Sequence, residues 1–144
     1  MAKKKPTRTT AARSRPKAAD PLVAPMKGSK RRTVGGVKMD VVRAGTARVK
    51  RVVYPAGFRW SDDMKSMVGT NLCMHAHVGF LARGEIHIEY ADGCVEKYKA
   101  PQVVVIAPGH DGWVVGRRPA VLIEFDFEGD TLKRLGMPKT HRHR

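Results

Sequence analysis

From Thr33 onward the chain never holds a helical period beyond a couple of turns, and this constrains its fold more than any other property. In place of helices there are short β-type runs broken by turn residues. "ARVKRVVY" is rich in β-branched and aromatic residues and stops at Pro55, with Gly57 close behind. "HVGFLARG" and "EIHIEY" follow. In the second, Ile86, Ile88 and Tyr90 alternate with Glu85, His87 and Glu89, the pattern of a strand with one buried and one wet face. Asp92-Gly93 then predicts a hairpin turn into "CVEKYKA". "QVVVIA" is continuously apolar, which suits a strand covered on both faces, and Pro108-Gly109 breaks it. "GWVVG" and "AVLIEFDF" close the series. About eight short strands with turns every 8–12 residues predict an all-β sandwich or barrel over residues 34–130. "DTLKRLGM" is the single helix candidate, with Asp130 as N-cap and Gly136 and Pro138 as the stop, inside a basic C-terminal segment spanning 131–144.

At 144 residues the chain has the length of one domain. Its formal charge of +15 is unevenly placed: residues 1–33 hold eleven Lys or Arg against one acid, Asp20, and so carry ten of the fifteen net charges. That segment has four prolines and few large apolar side chains, which predicts a disordered basic tail. Such a tail can bind nucleic acid non-specifically by neutralising phosphates, although a solvated extension accounts for it equally simply. It lacks the apolar run of a secretory signal, and nothing in the chain is long enough to span a membrane, so a cytoplasmic location is expected. Two cysteines, Cys73 and Cys94, do not make a disulfide framework in that setting.

The stretches "YPAGFRWSDD", "HVGFLARGEIHIEYADG" and "VVVIAPGHDGWVVGRRPAVLIEF" resemble the single-domain cupins, the RmlC-like jelly-roll barrels, over a little more than half the chain. The resemblance implies a double-stranded β-helix and a dimer. Metal-binding members of that family carry the motifs G-x5-H-x-H-x3,4-E-x6-G and P-x-G-x2-H-x3-N, whose three histidines and one glutamate hold the ion. This sequence departs from both. With Gly84 as the closing glycine, the glutamate position falls on His77 and the histidine positions on Asn71 and Cys73. With Gly109 as the glycine of the second motif, its histidine position is Gly112 and its asparagine position Gly116. The usual ligand set is therefore not carried over.

A different set is present in "NLCMHAHVGF". Residues of equal parity share one face of a strand, so a strand here would put Cys73, His75 and His77 together, neighbours about 7 Å apart. His110 lies just past the Pro108-Gly109 corner. Cys73, His75, His77 and His110 are thus the candidate metal ligands. Their thiolate and imidazole chemistry suits a divalent transition metal (Zn, Fe, Ni, Mn or Cu) over Mg²⁺ or Ca²⁺. Cys73, His75, His77, Trp60 and Trp113 are the candidate lining of a ligand pocket. Against the metal, a buried cysteine often serves as a small hydrophobe, and a histidine facing a cavity is more often hydrogen-bonded than metallated. A metal-free pocket for a small organic ligand is the other alternative. His141 and His143 stand among arginines, which predicts a basic tail and no site.

Three functions fit these residues. One is a barrel binding a small organic molecule, with or without a transition metal. Another is a metal-dependent enzyme of the same fold, isomerase- or dioxygenase-like, in which His75 and His77 hold the ion and His110 moves protons. The third is a nucleic-acid-associated accessory protein acting through its tail.

Overall fold

The computed structural model describes residues 17–143. Nine strands build it: β1 (Lys30–Val34), β2 (Val37–Ala44), β3 (Ala47–Tyr54), β4 (His77–Arg83), β5 (Glu85–Tyr90), β6 (Val95–Lys99), β7 (Gln102–Ile106), β8 (His110–Val115) and β9 (Ala120–Asp126). Short helices α1 (Trp60–Asp63) and α2 (Lys65–Val68) separate β3 from β4, and α3 (Thr131–Leu135) follows β9. The strands form a six-stranded sheet, β1-β2-β3-β9-β4-β7, and a three-stranded sheet, β6-β5-β8. Every pairing is antiparallel. No helix among the described residues is long and apolar enough to cross a membrane.

The alternation read in "EIHIEY" holds: Ile86, Ile88 and Tyr90 of β5 are buried. They meet Val52, Leu81, Ile106 and Leu122 from the larger sheet in one core. Each large side chain removed from water there contributes about 1.5–3 kcal/mol. Gly84, at φ 83°, turns β4 into β5 in a backbone region that a Cβ disfavours. Gly79 serves another purpose. A Cβ placed on it would lie 1.9 Å from the Ile123 carbonyl oxygen, so β4 can approach β9 only because that position is bare.

Three expectations need correction. The apolar run of β7 is covered on one face only: Val103 is 67% exposed and Val105 is exposed too, because β7 ends the larger sheet with one face outward. Pairing aligns them with the outward side chains of β4, Phe80 with Val103 and Val78 with Val105. Phe125 of β9 extends the same exposed apolar stripe.

The tail expected to run through Thr33 ends earlier; residues 1–16 lie outside the described ones. Lys30–Val34 pairs with β2 as an ordinary strand. Before it, Asp20 accepts from Arg83, and the Pro21 and Ala24 carbonyls accept from Arg51. Arg51 also reaches Asp40 Oδ2 at 2.6 Å, and Arg31 grips both oxygens of Asp40 at 2.9 and 2.8 Å. Register explains the cluster, since Arg31 sits opposite Asp40 and Asp40 opposite Arg51 across three strands. Composition concealed it, because cations that read as a solvated tail meet a carboxylate supplied by β2. The helix after Asp130 is present, but the Asp130 side chain does not cap it; Thr131 Oγ1 accepts instead from the Phe127 N–H at 2.9 Å.

The third correction concerns "NLCMHAH". β4 starts only at His77, and Cys73 makes an isolated bridge to His110, with residues 74–76 irregular between them. Parity does not propagate through irregular backbone, and His75 is exposed as a result.

Candidate functional site

A cavity of about 710 Å³ opens inside the barrel, and it contains the candidate residues. Met39, Tyr54, Phe58, Trp60, Ile86, Ile88 and Leu122 give it an apolar wall, and Trp113 lines it beneath the Arg59 guanidinium, 4.5 Å from the ring centroid. Cys73, His75, His77 and His110 complete the lining on one side. All five residues expected to form a ligand pocket therefore border one space.

The metal candidates divide. Cys73, His77 and His110 each place one ligand atom within 4.8 Å of the others, whereas His75 stands outside that group. Backbone pairing brings two of them together: the Cys73 N–H donates to the His110 carbonyl at 2.8 Å, and the Gly109 N–H donates to the Cys73 carbonyl at 2.8 Å. His77 enters from the first position of β4, its ring 5.3 Å from that of His110. Its Nε2 lies 3.6 Å from Cys73 Sγ.

A carboxylate that sequence reasoning missed holds the other edge of His77. Glu124 Oε1 accepts from His77 Nδ1 at 2.6 Å, and Glu124 is only 1% exposed. Lys50 Nζ contacts Glu124 Oε2 at 2.7 Å and Asp126 Oδ2 at 2.7 Å, and Arg48 binds Asp126 in turn at 2.7 Å. The register of β3 on β9 sets Lys50 opposite Glu124 and Arg48 opposite Asp126, with Lys50 reaching Asp126 diagonally. A signal for them exists in the sequence: in "AVLIEFDF", Glu124 and Asp126 share the parity of buried Leu122, and a charge at an inward position calls for a partner. Asp111, the acid next to His110 in the chain, is not part of the cavity lining. Its carboxylate takes the Ser61 N–H at 3.0 Å and Arg59 Nε at 2.8 Å, which fixes the first turn of α1.

Two tautomers follow from these contacts. His77 gives its Nδ1–H to Glu124, and His110 gives its Nδ1–H to the Ala107 carbonyl at 2.7 Å. Each neutral ring then presents Nε2 as a lone pair. Burial would push the Cys73 thiol up, but the imidazoles of His110, His75 and His77 outweigh it and bring it down to about 3. Burial also opposes a proton on His77, yet the Glu124 charge and the Cys73 sulfur raise it to about 10. Glu124 is held at about 2 despite burial by His77 and Lys50. Without an ion, the pair is therefore a thiolate beside an imidazolium.

The spacing fits a tetrahedral metal. Bonds of about 2.3 Å to sulfur and about 2.0–2.1 Å to nitrogen, at the tetrahedral angle, separate the two ligand atoms by about 3.6 Å. That is the distance between Cys73 Sγ and His77 Nε2.

No protein-family model matches the chain, and no curated protein matches it in sequence. Solved structures do match. A cupin 2 conserved barrel domain protein from Salinispora arenicola is 12% identical and aligns over 83% of this chain and 98% of its own, with a TM-score of 0.52. The cupin domain of Schizosaccharomyces pombe Cnp3 is 13% identical over 76% of each chain, with a TM-score of 0.49. KdgF from a Halomonas species is 17% identical over 67% of this chain and 83% of its own, with a TM-score of 0.47. The first of these likenesses, with the two antiparallel sheets, shows the fold to be that of a cupin barrel.

Proposed function

We propose that this cupin-fold barrel holds a divalent transition metal on Cys73, His77 and His110 and binds a small organic ligand beside it. One observation carries the metal: both imidazoles have Nδ1 committed to protein acceptors, so both Nε2 atoms and the Cys73 sulfur converge with nothing but the cavity beyond. A buried carboxylate behind a ligating histidine is the arrangement that fixes ring orientation and strengthens the ligand. The sulfur favours Zn²⁺, Fe²⁺, Ni²⁺ or Cu over Mn²⁺. Three protein ligands leave a coordination position open, and a metal held there would supply Lewis-acid chemistry. The apolar wall suits a ligand with a hydrocarbon or aromatic body, and Lys30 and Arg32 at the cavity margin suit an acidic group upon it.

Elemental analysis of protein purified without a histidine tag tests the metal. Wild type is expected to hold about one equivalent more than Cys73→Ser/His110→Ala. Failure of the chelator-treated wild type to take up added Zn²⁺ or Co²⁺ at this site would remove the reading. The ligand is sought as a rise in melting temperature across a panel of small carboxylic acids.

A second reading rests on the line Cys73–His77–Glu124, which places a nucleophile, a base and a group orienting the base in contact distance. It assigns the barrel a metal-independent thiolate reaction. Zn²⁺ separates the two: alkylation of Cys73 by iodoacetamide is blocked by the ion if the metal reading holds and unaffected if it fails.

Two partner proposals accompany this function. A second copy of the chain is proposed to cover the exposed stripe of Phe80, Val103, Val105 and Phe125, since soluble monomers seldom leave contiguous apolar surface of this kind to water. The six Lys and Arg of residues 1–16, with no acid among them, are proposed to bind polyanions such as nucleic acid.

A further inference from the structure

The C-terminal "THRHR", expected to be a basic tail, folds back onto the turn between β5 and β6. There the His141 ring stacks on Tyr90, with centroids 3.8 Å apart and planes 11° from parallel. His143 meets it edge-on at 5.0 Å. Cys94, at the end of the same turn, completes a group in which one ligand atom from each of Cys94, His141 and His143 lies within 4.8 Å of the others. The turn itself is fixed: Asp92 Oδ1 accepts from the Cys94 N–H at 2.9 Å, and the Tyr90 N–H donates to the Cys94 carbonyl at 2.9 Å.

The polar atoms of these rings are unevenly satisfied. His143 Nε2 donates to Asp92 Oδ2 at 2.9 Å, which leaves its Nδ1 as the lone pair. His141 turns Nδ1 toward Glu96 Oε1 at 4.0 Å. Its Nε2 is buried and has no hydrogen-bond partner among the described residues. An orphaned buried nitrogen is costly, and an ion bound there would complete it. Arg142 is exposed between the two histidines and points its charge to water, while Asp92 and Glu96 supply negative charge on the protein side.

We propose that Cys94, His141 and His143 form a second metal site, specific for Zn²⁺ or a similar thiolate- and imidazole-seeking cation, with Asp92 orienting His143. It is separate from the cavity cluster, shares no ligand with it, and ties the C-terminal segment to the β5–β6 turn over Tyr90. A sulfur and two nitrogens close around one ion after contraction by roughly 1 Å, since tetrahedral ligand atoms stand about 3.3–3.8 Å apart. Both histidines reach a common point, and Arg142 between them stays exposed.

The test uses the full-length, tag-free protein after chelator treatment, in a Cys73→Ser/His110→Ala background that removes the cavity ligands. Cobalt titration is expected to give one equivalent with thiolate-to-cobalt charge-transfer absorption. Cys94→Ser is expected to abolish that absorption, and His141→Ala/His143→Ala to abolish saturable binding. Absence of the absorption, or its persistence in Cys94→Ser, overturns the proposal. A second measurement needs no altered barrel. In wild type, Zn²⁺ is expected to protect Cys94 from iodoacetamide, read on its own peptide by mass spectrometry, and the protection should vanish in His141→Ala/His143→Ala. Equal alkylation with and without Zn²⁺, or protection that survives the histidine substitutions, overturns it as well.

Discussion

The larger sheet carries one polar cluster on each face, and the two are finished differently. Outside, Arg31, Asp40 and Arg51 stand in register on β1, β2 and β3, and both oxygens of Asp40 are taken by guanidinium groups. Residues 20–24 seal that cluster with backbone carbonyls. Inside, Lys50, Glu124 and His77 are matched as closely, but the chain of contacts ends in two imidazoles and a sulfur that border a cavity. A buried charge cluster that closes on itself holds a fold together. One that closes on every side but one leaves its remaining side chains facing the cavity.

The sharpest way to break this comparison is Asp40→Ala. It leaves two guanidinium groups facing a void, with Arg51 almost fully buried, and breaking a buried pair from one side costs about 3–5 kcal/mol. Urea denaturation should show that loss, while metal stoichiometry at the cavity stays at wild-type level. If Asp40→Ala empties the metal site at temperatures where the barrel is folded, the two faces are not independent.

Truncation tests the seal. Deleting residues 1–16 leaves every contact described for residues 17–143 in place and should change stability by less than about 0.5 kcal/mol. Deleting 1–29 strips Arg51 of its carbonyl acceptors and Arg83 of Asp20, and should cost about 1–3 kcal/mol for the buried donor left unmet. The shorter truncation is therefore the one in which to measure loss of duplex DNA binding, with a steep salt dependence in the intact chain.

On the inner face, Glu124→Gln keeps the shape of the side chain but removes the charge that orients His77. Metal affinity should fall about 10- to 100-fold, the usual effect of a lost outer partner. Competition against a chelator of known affinity measures it. Unchanged affinity would mean that Glu124 serves Lys50 alone.

What could be read from the sequence follows the same division. Alternation in β5, the Asp92-Gly93 turn and the Pro108-Gly109 corner are local, and local patterning delivered the barrel, whereas Cys73 meets His110 through pairing between distant segments. Features that depend on register did not show. Glu124 is 47 residues from His77 and joins it only because β4 pairs with β9. Arg31 looked like part of a solvated run because its carboxylate comes from the next strand. His75 shows the opposite failure: parity was extended through residues 74–76, which are not a strand. His141 shows a third kind: Arg142 adjoins it in sequence, yet stays exposed.

A final test separates the faces by pH. On the outside, Arg31 holds the Asp40 carboxyl at about 2, so that contribution is full above its ordinary 3.8 and is lost as the pH falls through about 2. It has no alkaline limb. Inside, with metal removed, the Cys73 thiol is lowered from 9.0 to about 3 and the His77 imidazole raised from 6.5 to about 10. From the acid side up to 6.5, only the thiol differs in protonation between folded and unfolded chains; the unfolded chain holds the extra proton, and stability rises with pH. Between 6.5 and 9.0 the unfolded chain has one proton more on sulfur and one fewer on the imidazole, so the two slopes cancel. From 9.0 through about 10 only the imidazole differs, and stability falls. Urea midpoints of chelated wild type, less those of Cys73→Ser/His77→Asn, should trace this rise, plateau and fall, whereas the Asp40→Ala difference stays flat above neutrality. A wild-type difference without an alkaline fall would mean that Cys73 and His77 meet as neutral groups, with no ion pair between them.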